Sequence, residues 1–131
     1  MALLNDDVKK VLQNAGMWVL ATADPNGIPN AVPINFVQIL SDSQIMLVNN
    51  AMKKTIANIE KNPNVAVTVW YEHDGYQIKG KAAIETSGPN FEAGVAMVKQ
   101  EKPFLDPKGV VIIDINEIYI TTPGPDNGKQ L

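Results

Sequence analysis

The sequence predicts a mainly β protein in which six to seven short antiparallel strands form a small closed or split barrel, with about three helices outside. Short apolar runs follow one another in hairpin order, and residues 24–27 (Asp-Pro-Asn-Gly) are a strong turn signal between the first two. Gly80 interrupts a strand-like segment, which is typical of a bulge or a barrel bend. Because strands and helices do not alternate regularly, a doubly wound parallel sheet is disfavoured.

Three helices are predicted from apolar spacing and end signals, at residues 5–15, 50–62 and 89–100. Asn5 is an N-cap candidate for the first, and Gly16 ends it. Asn50 is an N-cap candidate for the second, in which Met52, Ile56 and Ile59 fall on one face.

The strands are predicted from short apolar or alternating runs between turn signals. Pro29 and Pro33 interrupt the second run, so its early part must be an edge, a bulge or irregular. The first three runs are expected to form an antiparallel meander, and the last run extends or pairs with the one before it. The predicted strand regions are 17–22, 28–40, 45–49, 65–71, 76–86, 110–115 and 117–122.

The chain has 131 residues, which is the size of one domain with a real core. Residues 1–122 are expected to form that domain and residues 123–131, rich in Pro, Gly and polar residues, a loose tail. With 45% hydrophobic and 19% charged residues, the composition is that of an ordinary globular protein. No apolar run approaches a membrane span and no signal peptide is evident, so no membrane association and a cytoplasmic location are expected.

Charge and residue content exclude several classes of function. All eleven basic residues are lysine, the net charge is −3 and no basic block exists, which argues against nucleic-acid binding. There is no cysteine, so disulfides and thiolate chemistry are excluded. The single histidine, His73, lies in a turn-like Glu-His-Asp-Gly segment, and a solvated loop explains it better than a metal site. No motif for a catalytic nucleophile or a P-loop is present, so a bound cofactor is expected to supply any reactive group.

The start of the second helix carries an unusual charge arrangement. Lys53 and Lys54 stand where the helix dipole is positive, and Thr55 follows them. Cations are unfavourable at that end, and an anion between the backbone N–H groups, the two ammonium groups and the hydroxyl would remove the conflict. The alternative is that the lysines lie on a solvated helix face and bind nothing.

The order of several segments resembles the FMN-binding split-barrel superfamily, which contains pyridoxamine 5′-phosphate oxidases and small bacterial FMN-binding proteins. The matching pieces are a Leu-Ala-Thr opening with a downstream Gly-x-Pro at 20–29, Met-Lys-Lys-Thr at 52–55, Lys-Asn-Pro-Asn-Val-Ala-Val at 61–67 and Gly-Lys-Ala at 80–82. The resemblance extends from about residue 6 to residue 120. It implies a Greek-key-like split β-barrel that binds FMN.

The resemblance also implies roles for particular residues. Lys54 and Thr55, with Lys53 nearby, would hold the FMN phosphate. Asn35 and Asn49 would form hydrogen bonds at the polar edge of the flavin ring, although solvated edge asparagines are an equally good account of them. The segments that would line the ring comprise Pro33, Ile34, Asn35, Phe36, Val48 and Asn49.

Members of the superfamily are typically homodimers with the flavin at the subunit interface. Trp70, Tyr76 and Phe104 are therefore candidates to close the site of the partner subunit, or they are ordinary core aromatics. The resemblance favours an electron-transfer or reducing flavoprotein without an essential acid or base of its own. True oxidase activity is doubtful, because those oxidases use arginines and this chain has none.

Two alternatives remain at this point. The same fold can bind a deazaflavin (F420) or a haem-type ligand, because a phosphate site at a helix start does not distinguish flavin analogues. The chain can also be a non-enzymatic dimeric β-domain without a cofactor, with both lysines only solvated.

Overall fold

The computed structural model describes residues 3–131; the first two residues of the predicted domain lie outside this range. Seven strands and three helices are present in these residues. In chain order they are α1 (Asp6–Asn14), β1 (Trp18–Ala23), β2 (Pro29–Ile34), β3 (Val37–Ser41), β4 (Gln44–Asn49), α2 (Lys54–Lys61), β5 (Asn64–Tyr71), β6 (Asp74–Glu85), α3 (Pro89–Glu101) and β7 (Gly109–Ile120).

All seven strands belong to one antiparallel sheet with the order β2-β1-β5-β6-β7-β4-β3. The sheet curls into a half-barrel whose two edge strands, β2 and β3, are not hydrogen-bonded to each other. This arrangement is a split barrel and confirms the predicted fold class. The apolar side chains inside the curl, including Leu20, Val67 and Ile113, pack with residues of α1 and α2 in the main core.

Helix α1 forms as the sequence predicts. The side chain of Asn5 accepts a hydrogen bond from the backbone N–H of Val8 at 2.9 Å, which is the expected N-cap interaction. Val11 and Leu12 of this helix are buried in the main core. The indole Nε1–H of the buried Trp18 donates to the carbonyl of Leu12 at 3.0 Å and so ties β1 to the end of the helix.

The predicted strand region 28–40 is wrong as one element and consists of two strands. β2 pairs with β1, whereas β3 pairs with β4 at the opposite edge of the sheet. The chain changes partners at Asn35 and Phe36, where the Phe36 side chain is buried in a second apolar cluster. The two hairpins are therefore present, but the expected meander is not. Pro29 and Pro33 lie on the edge strand, where proline removes no ladder hydrogen bond.

The predicted N-cap of the second helix is also wrong. α2 begins at Lys54 with Lys53 as N-cap, and no side chain caps it. The residues before it form a loop, in which the Asn49 carbonyl oxygen Oδ1 accepts a hydrogen bond from the backbone N–H of Met52 at 2.7 Å. Because this local hydrogen bond competes with helix formation, the helix begins about one turn later than predicted.

Gly80 lies at a register shift between β6 and β7, as the mid-strand glycine predicted. A Cβ atom at this position would collide with the carbonyl oxygen of Asp114. The two predicted C-terminal strands are one continuous strand, β7. Residues 123–131, expected to be a loose tail, instead return along β7: the backbone N–H of Leu131 donates to the carbonyl of Ile118 at 2.8 Å.

The outer surface of the sheet is covered unevenly. Helix α3 covers β4 and β7, where Val98 packs with Met46 and Val110 in the second cluster. The outer face of β2, β1 and β5 has no helix over it among the described elements. Its side chains are small or apolar and include Pro29, Ala31, Pro33, Val19, Ala21, Ala23, Ala66, Thr68 and Trp70.

Candidate functional site

A cleft of about 370 Å³ lies at the opening of the half-barrel, between edge strand β2 and the start of α2. One side is formed by β2 and the residue after it, and the other by the end of β4, the loop 50–53 and the first turn of the helix. The lining residues are Asn30, Val32, Pro33, Ile34, Asn35, Val48, Asn50, Ala51, Met52, Lys53, Lys54 and Thr55.

The positive end of α2 faces this cleft without a cap. Lys53 and Lys54 are exposed and the first turn contains no acidic residue. The first backbone bond at this end runs from the N–H of Ala57 to the carbonyl of Lys53 at 3.1 Å, so the N–H groups of residues 54–56 have no acceptor within the helix. The helix dipole, the free N–H groups and the two ammonium groups together give this end of the cleft a positive potential that favours an anion.

A buried polar network supports the first turn from below. Asn30 Nδ2 donates to Thr55 Oγ1 at 3.1 Å and lies 3.5 Å from Thr22 Oγ1. Asn58 Nδ2, one turn further along α2, donates to the same Thr22 Oγ1 at 3.0 Å. Both threonines are buried, with exposed fractions of 4% for Thr22 and 2% for Thr55. These bonds fix β1, β2 and α2 relative to one another.

The loop between β4 and α2 has both a strong anchor and an unsatisfied atom. Lys108 donates from its backbone N–H to the carbonyl of Asn49 at 2.8 Å and from Nζ to the carbonyl of Asn50 at 3.0 Å. The Asn50 carbonyl oxygen Oδ1 is buried and has no hydrogen-bond partner within residues 3–131. A buried acceptor without a partner is costly, so this atom beside the cleft is suited to a ligand or water that donates to it.

Most of the residues predicted for the cofactor lie in the cleft. The structure brings together Lys53, Lys54 and Thr55 from α2 with residues of β2 and β4. It does not bring in Phe36, which is buried in the second cluster, or the Asn49 side chain, which holds the loop through Met52. The predicted residues that line the cleft are Pro33, Ile34, Asn35, Val48, Lys53, Lys54 and Thr55.

Sequence reasoning missed five lining residues: Asn30, Val32, Asn50, Ala51 and Met52. Alternation along β2 could have indicated Asn30 and Val32, since they share a strand face with Ile34. The other three were assigned to a helix that in fact starts later. No sequence signal pairs Asn30 with Thr55, because the two are 25 residues apart.

The three aromatic residues predicted to face a partner subunit lie in different places. Trp70 is 57% exposed on the uncovered outer face, and Phe104 is 77% exposed in the connection between α3 and β7. Tyr76 packs against the main core instead. Burial raises the pKa of the Tyr76 hydroxyl above its usual value, and the nearby carboxylates of Asp7 and Asp74 raise it further.

His73 lies in the two-residue turn between β5 and β6, as predicted. Within residues 3–131, no group of three or more His, Cys, Asp or Glu side chains is arranged to hold a metal ion. None of the three described helices is long and apolar enough to cross a membrane.

A family model described as pyridoxamine 5′-phosphate oxidase matches residues 4–122, which is nearly the whole chain. The chain belongs to this family. The match covers every strand of the half-barrel and the entire lining of the cleft, so the family assignment and the fold agree.

Two curated relatives of this family member are informative. One, an uncharacterized protein of Methanocaldococcus jannaschii, is 36% identical over 131 residues, covering 98% of this chain and 87% of the relative. The other is named an FMN-binding protein, from Nitratidesulfovibrio vulgaris; it is 31% identical over 94 residues, covering 64% of this chain and 76% of the relative.

Solved structures share the family fold. The crystal structure of HupZ from Group A Streptococcus has a TM-score of 0.84 at 26% identity, over 96% of this chain and all of that one. Two further structures show the fold alone. An F420 reductase has a TM-score of 0.69 at 14% identity, covering 88% and 98% of the two chains. The haem storage protein HutZ of Vibrio cholerae has a TM-score of 0.70 at 17% identity, covering 92% and 95%.

Proposed function

We propose that this family member is an FMN-binding flavoprotein with a redox or electron-transfer role. The phosphate binds at the first turn of α2, to Lys53, Lys54 and the Thr55 hydroxyl. The flavin ring lies along the rest of the cleft, against β2 and the end of β4. The relative from Nitratidesulfovibrio vulgaris, which is named an FMN-binding protein, supports flavin as the ligand.

The uncapped start of α2 is the observation that carries this proposal. Two lysines at the positive end of a helix, with no acid in the first turn, are electrostatically unfavourable until an anion binds between them. A dianionic phosphate meets the free N–H groups, the ammonium groups and a hydroxyl in one place. The solvated-lysine alternative leaves the hydroxyl proton of the buried Thr55, whose oxygen accepts from Asn30, without an acceptor within residues 3–131.

The remaining walls of the cleft fit a flavin ring. Val32 and Ile34 offer apolar surface, and Asn35 and Asn50 offer polar groups. The buried Oδ1 of Asn50, which has no partner within residues 3–131, is an acceptor that a donor group of the ligand or a water would satisfy. When bound, FMN supplies the redox chemistry, while the protein binds it, orients it and sets the polarity around it.

The absence of arginine argues against the activity of a pyridoxamine phosphate oxidase, although the chain belongs to that family. Lysine binds phosphate as a point charge and lacks the bidentate fork with which arginine holds a second phosphate group. No side chain in the cleft is an evident general acid or base apart from the two lysines. We therefore assign redox chemistry at the flavin, not oxidation of a phosphorylated amine, as the function.

Titration of the purified protein with FMN, riboflavin, F420 and haemin, followed by absorbance and flavin fluorescence, tests the proposal. FMN is expected to bind at least about tenfold more tightly than riboflavin, because only FMN carries the phosphate. Equal affinity for FMN and riboflavin would exclude a phosphate site at the start of α2. If F420 binds more tightly than FMN, the assigned cofactor changes from flavin to deazaflavin. If haemin is the only ligand that binds, the flavoprotein assignment is wrong.

A homodimer is the second part of the proposal. The outer face of β1, β2 and β5 is apolar, no helix of residues 3–131 covers it, and Trp70 is exposed on it. Pro33 belongs both to this face and to the cleft, so a second copy packed here would lie next to the bound flavin.

Ala21→Glu is expected to convert the dimer into a monomer. Ala21 lies between Ala31 and Ala66 in the sheet, so the variant places an unpaired carboxylate in the middle of the apolar face. Sedimentation velocity measures the change, with Ala93→Glu on the exposed side of α3 as the matched control. A dimer that persists in Ala21→Glu at micromolar concentration would exclude this face as the interface.

A further inference from the structure

Asn30 on β2 makes the one hydrogen bond to the Thr55 hydroxyl found within residues 3–131. Its Nδ2 atom donates to Thr55 Oγ1 at 3.1 Å, and the threonine side chain is almost completely buried. Thr55 is the second residue of α2 and lies beside the free N–H groups of its first turn. Asn30 itself lines the cleft, so the pair lies where the helix start meets the β2 wall.

The direction of this hydrogen bond determines what the hydroxyl can do. A threonine hydroxyl has one proton and two lone pairs, and an amide nitrogen only donates. With one lone pair of Oγ1 engaged by Asn30, the hydroxyl proton must point to another acceptor. No acceptor for it is present in the described part of the protein, so a buried donor is left facing the cleft.

Asn30 is held in place by a further contact. The same Nδ2 lies 3.5 Å from the hydroxyl oxygen of the buried Thr22. The Asn30 amide, which contacts Thr22 on β1 and Thr55 on α2, has little freedom to rotate. The orientation of the Thr55 hydroxyl is therefore set before a ligand binds. A pre-oriented donor costs less entropy on binding than one that must be ordered by the ligand.

We propose that Asn30 is a positioning residue that directs the Thr55 hydroxyl proton toward the phosphate of the bound ligand. This inference rests on the proposed FMN site and adds a residue that acts through Thr55. Asn30 thereby contributes to the preference for a phosphorylated flavin over an unphosphorylated one. Its effect is confined to ligands that carry a phosphate, because riboflavin has no phosphate oxygen to accept the Thr55 proton.

A double-mutant cycle tests this role, with dissociation constants for FMN and for riboflavin as readouts. Asn30→Ala is expected to weaken FMN binding about fivefold and Thr55→Val about tenfold, with riboflavin unchanged in both. The double variant is expected to bind FMN as Thr55→Val does, because Asn30 has no hydroxyl left to orient. If Asn30→Ala weakens FMN binding by the same factor in the unmodified protein and in Thr55→Val, the inference is overturned.

Asn58→Ala is the matched control, because Asn58 belongs to the same network through Thr22 but does not contact Thr55. It is expected to lower thermal stability as Asn30→Ala does and to leave FMN affinity within about twofold. A loss of FMN affinity equal to that of Asn30→Ala would reduce Asn30 to a structural role and overturn the inference. If the unmodified protein does not prefer FMN to riboflavin, the proposed phosphate site fails and this inference with it. If the unmodified protein prefers FMN to riboflavin and Asn30→Ala shows the same preference, the inference about Asn30 is overturned but the proposed phosphate site stands.

Discussion

Lys54→Glu is expected to weaken FMN binding at least about tenfold and to leave riboflavin binding unchanged. The variant replaces an exposed positive charge at the open start of α2 by a negative one, so attraction to the phosphate becomes repulsion. Because the lysine side chain is exposed and makes no ion pair among the described residues, the fold itself should tolerate the change. The negative charge also relieves the conflict with the helix dipole and should not lower stability.

Lys61→Glu is the control for a change of net charge alone. Lys61 is exposed on the last turn of the same helix and is not part of the cleft lining. Its replacement is expected to change FMN affinity by less than about twofold at physiological ionic strength, because salt screens exposed charges beyond about 8 Å. Fluorescence titration at two salt concentrations measures both variants. If Lys54→Glu binds FMN as tightly as the unmodified protein does, Lys54 does not contact the phosphate.

Gly80→Ala is expected to lower the free energy of unfolding by about 1–3 kcal/mol, the range for substitutions that force packed groups apart. The added Cβ would meet the carbonyl oxygen of Asp114 on β7 and would lie 2.9 Å from Ile113 Cγ2. Neither strand can move aside easily, since β6 is hydrogen-bonded to β5 as well as to β7. The register shift at this glycine is therefore a built-in feature of the curled sheet.

Gly16→Ala is the matched control for that substitution. Gly16 connects α1 to β1 and does not adopt a positive φ angle, and a Cβ atom added to it would meet nothing within 4 Å beyond its chain neighbours. The change is expected to alter stability by no more than about 0.5 kcal/mol. Urea denaturation of both variants measures the difference. Equal stability of Gly80→Ala and Gly16→Ala would mean that the strands separate at the bulge without cost.

Much of the site could be predicted because its main signals are local. Lys53, Lys54 and Thr55 are adjacent in sequence, and the conflict between their charge and the helix dipole is visible without a structure. The family resemblance added Pro33 and Ile34, and both line the cleft. The resemblance also assigned Asn49 to the flavin ring, but the Asn49 side chain accepts a hydrogen bond from the backbone N–H of Met52.

The wrong predictions concern segments whose local sequence is compatible with two different structures. Asn50 is a good N-cap residue, yet the bond between Asn49 and Met52 keeps the chain out of the helix until Lys54. The run from 28 to 40 is strand-like throughout, and only the burial of Phe36 in the second cluster divides it between two edges of the sheet. Such choices depend on packing partners that are distant in sequence.

The sequence by itself determined the fold class, the family resemblance, the bulge at Gly80 and the positive end of α2, because periodicity, turn chemistry and charge are properties of neighbouring residues. The tertiary structure alone decided that β2 and β3 stand at opposite edges of the sheet and that a cleft opens beside β2 at the start of α2. It also decided that Asn30 reaches Thr55. The physical reason is that strand order and side-chain contacts across the sheet are set by burial of the whole core, to which residues far apart in sequence contribute together.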